Sequence, residues 1–442
     1  MAEEVEKPRS KFYVLEPIIE KLPEVAVPKR HVAFKEKFMW TALALLIFFI
    51  MSQITLYGAT KQASDIFGSL KFIFASQTGT IMELGIGPIV TAGIILQLLA
   101  GSKIIGLDMS DHDDRAIFTG AQKLLAILMA LFEGSMLVLS RRYGVGLDTP
   151  AGLFILFQMV LGAVIVVYLD EIVSKYGFGS GVSLFIAGGV AMTFMWQALN
   201  PVVGVVPTFV GDVLKGDSVV NAFFGSGSSN MMGLVATIIV FLVAVYAESI
   251  QIEIPLAYGK FGGVRGKYPI KFLYTSNIPV ILAMTVFANL RIVSAITGAQ
   301  WLTYYTTAPQ NLVQAVADPT RAGVYTLILF GLSVGFSYLW VFMTGMGPRD
   351  VAEQLEDSGM MIPGYRRDIK VMEQVLSRYI LTAAILGGAF IALLSAGADL
   401  LGAIGSGTGI LLTVGIIHGL YQQIAREQVA EMFPAVRRLM GE

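Results

Sequence analysis

Along most of this chain, predominantly apolar residues run for lengths that no soluble core requires. Such runs occur at roughly Phe38 to Leu56, Ile81 to Leu99, Ile117 to Leu139, Leu153 to Val173, Val182 to Leu199, Met232 to Tyr246, Phe272 to Ile296, Val324 to Met343, Tyr379 to Ala398 and Ile404 to Ile424. A hydrocarbon core ~30 Å thick takes ~20 apolar helical residues to cross, so the pattern predicts ten membrane-spanning helices. The stretch from Gln62 to Leu99 breaks the pattern. It opens with a half-polar piece carrying Asp65 and Lys71, breaks at Ser76 to Thr80, and resumes as an apolar run with Gly85, Gly87, Pro88 and Gly93 inside it. A broken helix at membrane depth is tolerated only where protein or a water-filled cavity satisfies the freed backbone groups. The segment is therefore expected to line a cavity, with Gln62 to Gln77 as an extra, re-entrant half-span.

Composition agrees with the pattern: 55% of the 442 residues are hydrophobic and 14% charged. The net charge of -1 says little, but its distribution says more. With the N-terminus placed in the cytoplasm, the outer side keeps Lys61, Lys71, Arg141, Arg142, Lys215, Arg291 and Arg321, and the rest of the 31 lysines and arginines fall on the side of the two termini. That is a positive-inside bias, and it puts both termini in the cytoplasm of a multi-pass protein. Two long basic loops, Glu248 to Lys271 and Gly345 to Arg378, share that side. Ten spans divided by the Gly/Ser-rich connection after Asn200 give two halves of five, and an odd count turns the second half upside down, the architecture of an inverted repeat. The expected organisation is a cytoplasmic segment 1–35, a first half 36–200, an outer hinge loop 201–231, a second half 232–426 and a cytoplasmic tail 427–442.

The chemistry on offer is sparse. Cysteine is absent, so there is no disulfide framework, thiolate metal site or Cys nucleophile. The N-terminus, MAEEVEKPRSKF, has neither the apolar core nor the cleavage site of a removable signal peptide. Only His31, His112 and His418 occur, with no HExxH and no Asp pair on facing mid-spans, which leaves an intramembrane protease without its catalytic groups. No glycine loop followed by Lys-Ser/Thr appears, so no nucleotide or other cofactor is expected and the energy for any transport must come from a partner.

Six strings, taken in order, resemble the SecY protein-translocation channel family in its archaeal form: LGIGPIVTAGIILQLL at Leu84 to Leu99, YLDEIVSKYGFGSGVSLFIAGG at Tyr168 to Gly189, EIPLAYGK at Glu253 to Lys260, GKYPIKFLYTSNIPVIL at Gly266 to Leu282, IPGYRR at Ile362 to Arg367 and GSGTGILLTVGI at Gly405 to Ile416. The resemblance is colinear from about Phe34 to the C-terminus. It implies an all-α clam-shell of two inverted five-helix halves around an hourglass pore that also opens sideways into lipid. Such a channel passes unfolded secretory polypeptides across the membrane and releases transmembrane helices into it. At the waist the resemblance implies a ring of Ile86, Val90, Val182, Ile186, Ile278, Ile281 and Leu412. An apolar collar offers ions no polar partner yet yields to an extended peptide. Without the resemblance, aliphatics at helical spacing would read as core or lipid-facing.

The same resemblance implies a plug at about Ile66 to Gln77, with Ile66, Phe67, Gly68, Leu70, Ile73 and Phe74, and a lateral gate at Thr91, Glu133 and Asn289. A carboxylate at mid-span is expensive without partners, though polar groups in a bundle also serve as plain helix glue. Docking on ribosomal phosphates falls to Lys260, Arg265 and Lys267 in the first basic loop and Arg366 and Arg367 in the second. The implied partners are a SecE-type subunit, a small beta subunit, the ribosome, signal peptides and nascent chains, and membrane lipid, at the plasma membrane. The main rival is a secondary transporter, which shares inverted repeats and broken helices but places ion-binding groups at the midplane, where this chain has aliphatics.

Overall fold

The computed structural model describes residues 11–30, 32–59, 70–101, 104–107, 112–216, 218–224, 230–258, 265–361 and 368–432. Ten principal helices follow one another: α1 (Phe34–Met51), α2 (Gly87–Gly101), α3 (His112–Leu139), α4 (Pro150–Tyr176), α5 (Gly181–Leu199), α6 (Met231–Ser249), α7 (Ile278–Thr297), α8 (Pro319–Met343), α9 (Ile369–Leu400) and α10 (Gly407–Met432). Seven described helices, α3 to α9, are long and apolar enough to cross a membrane.

The helix ends follow from local chemistry. Thr149, Asn230, Asp318 and Asp368 each accept a backbone N–H from the first turn of α4, α6, α8 and α9, satisfying donors that the helix itself leaves open. Pro150 and Pro319 occupy the first position of α4 and α8, where a missing N–H costs nothing. Gly298, with φ +73°, closes α7.

The described residues fall into two compact units, one from Met1–Ser64 and Gln77–Gly181 and the other from Asp65–Ser76 and Val182–Glu442. α5 thus falls in the second unit, where its Ala198 sits in one cluster with Val205, Leu234 and Ile404. In the first unit α3 packs on both α2 and α4, and α1 on α4. The N-terminal helix Glu16–Ile19 lies over α3, where Leu96, Phe118 and Ala121 receive Phe12, Leu15 and Ile19.

In the second unit α8 packs along α9 and α7, and α6 along α10. At the C-terminal end of α6 the chain forms a small antiparallel sheet, β1 (Gln251–Tyr258), β2 (Arg265–Lys271) and β3 (Met360–Met361), in the order β2-β1-β3. The first basic loop is therefore a hairpin. Its inner face, Ile254, Leu256 and Ile270, joins one core with Val351 and Leu355 of the helix Pro348–Asp357 and with Met372, Leu376 and Ile380 of α9. A sheet face alternates with its solvent face every second residue, so the same register leaves Glu253 and Lys267 outside, as an ion pair.

Candidate functional site

The second apolar run was expected to begin its helix near Ile81, but α2 starts at Gly87. Residues 80–86 form successive turns instead, tied sideways at their start. Leu56 N–H donates to the Gly79 carbonyl and Ile81 N–H to that of Ile54, each at 2.9 Å, around a bridge between Thr55 and Thr80. A Cβ on Gly162 of α4 would run into the Ile81 carbonyl, so this approach needs glycine there. Glu83 secures the turn. It is fully buried, one carboxylate oxygen stands 3.0 Å from the Arg142 guanidinium, and the other accepts the Gly79 N–H. Tyr143, also fully buried, lies beside Glu83, and burial together with the Glu83 charge pushes its phenol well above the usual range despite Arg142 beside it.

Neither Arg142 nor Tyr143 was singled out from the sequence, where Arg142 counted only as an outer-side charge. A signal did exist: a glutamate within an apolar run demands a cation, and Arg-Arg-Tyr follows the third span. Arg291, also counted as an outer charge, is 1% exposed and donates to the Thr306 carbonyl and, at 3.4 Å, to the Thr306 hydroxyl.

Of the residues expected at the collar, Ile86 is buried and Val90 half-buried in the first unit. In the second unit Ile186 and Leu412 are buried, with Val182, Ile278 and Ile281 half-buried. The short helix Leu70–Ile73 belongs to this second unit and packs on α7 and α10, two of the helices that carry collar residues. Leu70, Ile73 and Phe74 are buried, and Ala75, at φ +47°, comes up against Gly189 of α5. Ile66, Phe67 and Gly68 lie outside the described residues.

The polar cluster is assembled in part. The Thr91 hydroxyl of α2 donates to Glu133 of α3 at 3.2 Å and to the Gly87 carbonyl at 2.9 Å, and both side chains are buried. Asn289 stands on α7 in the second unit, exposed. Among the basic residues Lys267 is exposed on β2 and paired with Glu253, and Arg265 opens that strand. Lys260, Arg366 and Arg367 lie outside the described residues, between elements that the shared core holds together.

A sequence profile for the family described as SecY matches residues 80–421, and one for the plug domain of Sec61p matches residues 46–79. Protein translocase subunit SecY of Pyrococcus furiosus is 42% identical over 95% of the chain and 97% of its own length. Its counterpart in Methanocaldococcus jannaschii is 42% identical over 96% and 99%. A solved structure titled "The structure of a protein conducting channel" superposes with a TM-score of 0.82 at 42% identity, covering 96% of this chain and 99% of that one. Sec61 in a canine ribosome-channel complex from the endoplasmic reticulum gives 0.80 at 41%, with the same coverage.

Proposed function

The chain belongs to the SecY family, and from that membership we infer how its own residues divide the work of a protein-conducting channel in the membrane. The channel function itself follows from the family; what is proposed is the assignment of parts. The observation that carries it is the seating of Leu70, Ile73 and Phe74, buried in a segment that packs on the helices bearing Ile278, Ile281 and Leu412. An apolar plug against an apolar collar excludes water without any specific bond, so a passing peptide displaces it without having to match a sequence.

In this reading Ile86, Val90, Val182, Ile186, Ile278, Ile281 and Leu412 form the constriction, and residues 66–74 close it. Thr91 and Glu133 hold α2 to α3 on one side of a seam whose other side is α7 with Asn289. A signal peptide opens the seam by offering an apolar helix in place of hydrogen bonds that are worth only about 1 kcal/mol each. The β1–β2 hairpin and the loop carrying Arg366 and Arg367 meet the ribosome, as the canine Sec61 channel does in its complex, and SecE-type and beta subunits complete the assembly. Both termini face the cytoplasm, with the positive charge, and the membrane is the plasma membrane.

Photo-crosslinking tests the assignment. A stalled nascent secretory chain on a ribosome is expected to crosslink to a photoreactive residue at Ile186 or Leu412 and not to one at the exposed Leu242 of α6. Crosslinks to Leu242 alone would reject the collar.

A further inference from the structure

The connection between α5 and α6 reads as a loop in water, yet many of its exposed side chains are apolar. Val202 and Leu214 are 84% and 81% exposed, and Val203, Val210, Val220 and Phe224 are also open. Exposed apolar surface on this scale marks a place where something other than water is met.

The helix Val205–Leu214 within this connection has three distinct faces. Val205 is buried and Val206 packed, both turned toward Ala198, Leu234 and Ile404. Val210 and Leu214, four residues apart and so on one side of the helix, are exposed. Thr208, Asp212 and Lys215 form a third, polar row. One face thus belongs to the protein, one to water, and the apolar stripe to neither.

Continuity with the membrane belt identifies its occupant. Met192, Trp196 and Leu199 run as an exposed stripe along the last turns of α5, a surface that in a multi-pass membrane protein faces lipid. The stripe continues through Val202 and Val203 into the connection, and the intervening Asn200 is half-buried, its side-chain oxygen accepting the Val202 and Val203 N–H groups. Tryptophan is enriched at the headgroup level, which sets Trp196 near the boundary and the residues just after it within reach of the interface.

We propose that this connection is an interfacial anchor: the helix Val205–Leu214 lies along the membrane surface opposite the β1–β2 hairpin, with Val202, Val210 and Leu214 dipped into the headgroup and upper acyl region and Thr208, Asp212 and Lys215 toward water. Amphipathic helices bury an apolar face ~5–10 Å deep in this way. The partner is the lipid surface itself, and the anchor fixes the depth of the adjoining ends of α5 and α6.

The lack of cysteine permits a background-free test. Val202→Cys, Leu214→Cys and Thr208→Cys variants of the full chain, labelled with an environment-sensitive fluorophore, are reconstituted into vesicles with the subunits that co-purify. Lipid carrying a nitroxide near its headgroup should quench the labels at positions 202 and 214 several-fold more than the label at 208, while aqueous iodide shows the reverse order. Equal access of iodide to all three positions would place the connection in water and overturn the proposal. Protection of 202 and 214 from both quenchers would overturn it too, by assigning the stripe to a protein partner or a second copy.

Discussion

Glu83 shows what a single residue does at the entry of α2. Its ion pair with Arg142 is fully enclosed, so its worth lies in what breaking it costs. Removing one partner of a buried pair costs about 3–5 kcal/mol because the other charge is left stranded, whereas replacing both with apolar groups of similar size is often neutral. Arg142→Met alone should lower the melting temperature in detergent, and adding Glu83→Leu should restore most of the loss. Equal loss in the single and the double variant would mean that packing, not charge, is what the pair provides. Tyr143 adds a pH signature. Its phenol is pushed above the ordinary 10 by burial first and by Glu83 second, so the neutral form is the one the fold favours. That contribution is complete below pH ~10 and is lost as pH rises above it, when the unfolded phenol ionises freely. Tyr143→Phe should therefore flatten the alkaline end of the stability profile, and an unchanged profile would contradict the account. The cluster is half legible: Glu83 is a charge within an apolar run and so demands a cation, but which cation meets it depends on how the end of α3 turns back, and no period encodes that.

Among the elements, the long helices were legible because hydropathy reports the membrane directly, and α4 and α8 gained sharp starts from Thr149-Pro150 and Asp318-Pro319. The start of α2 was not, since Ile81 to Ile86 lies within an apolar run but is tied at Ile81 to Ile54, beyond the end of α1, and then proceeds through turns. The packing of the N-terminal segment, residues 11–26, escaped notice for a related reason: its bonds join residues a hundred or more positions apart. Lys123 of α3 lies 2.7 Å from Glu171 of α4, Lys175 joins Glu171 at 2.9 Å and Glu24 at 2.7 Å, and Glu171 accepts the Val25 N–H at 3.0 Å. Lys123 and Lys175 also donate to the carbonyls of Pro23 and Val25, and a Cβ on Gly120 would run into Ile19. Residues 11–26 are thereby held on the ends of α3 and α4. Glu171→Gln keeps the shape but removes the charge that both lysines share, and it should speed hydrogen exchange at Val25 and its neighbours while the centre of α4 stays protected. No change in exchange would reduce the network to surface decoration, the usual fate of exposed pairs.

The molecule as a whole combines a membrane fold that composition announced with a pore that it did not. Aliphatic residues at helical spacing look alike whether they face lipid, core or channel, and the collar role proposed for Ile186 and Leu412 comes from family resemblance, not from their pattern; the family profile matches residues 80–421. The charge bias makes an independent claim at this scale: tags after Gly359 and within residues 225–230 should be accessible from opposite sides of the membrane, and same-side labelling would remove the inverted halves. The seam is testable through the missing cysteines. Thiols introduced near Thr91 and Asn289 form a disulfide only if their Cα atoms come within roughly 4.4–6.8 Å, and locking them should stop signal-peptide insertion until reduction restores it.

Protease protection tests the central claim most directly. Ribosomes translating a secretory precursor are mixed with vesicles that contain the full chain and its co-purifying subunits, and the same vesicles are assayed for uptake of small solutes. A polypeptide channel predicts a precursor that resists added protease until detergent is present, with protection abolished by the locked seam and no accumulation of solute. A precursor left fully digested while a small solute accumulates would contradict the account and return the fold to a secondary transporter.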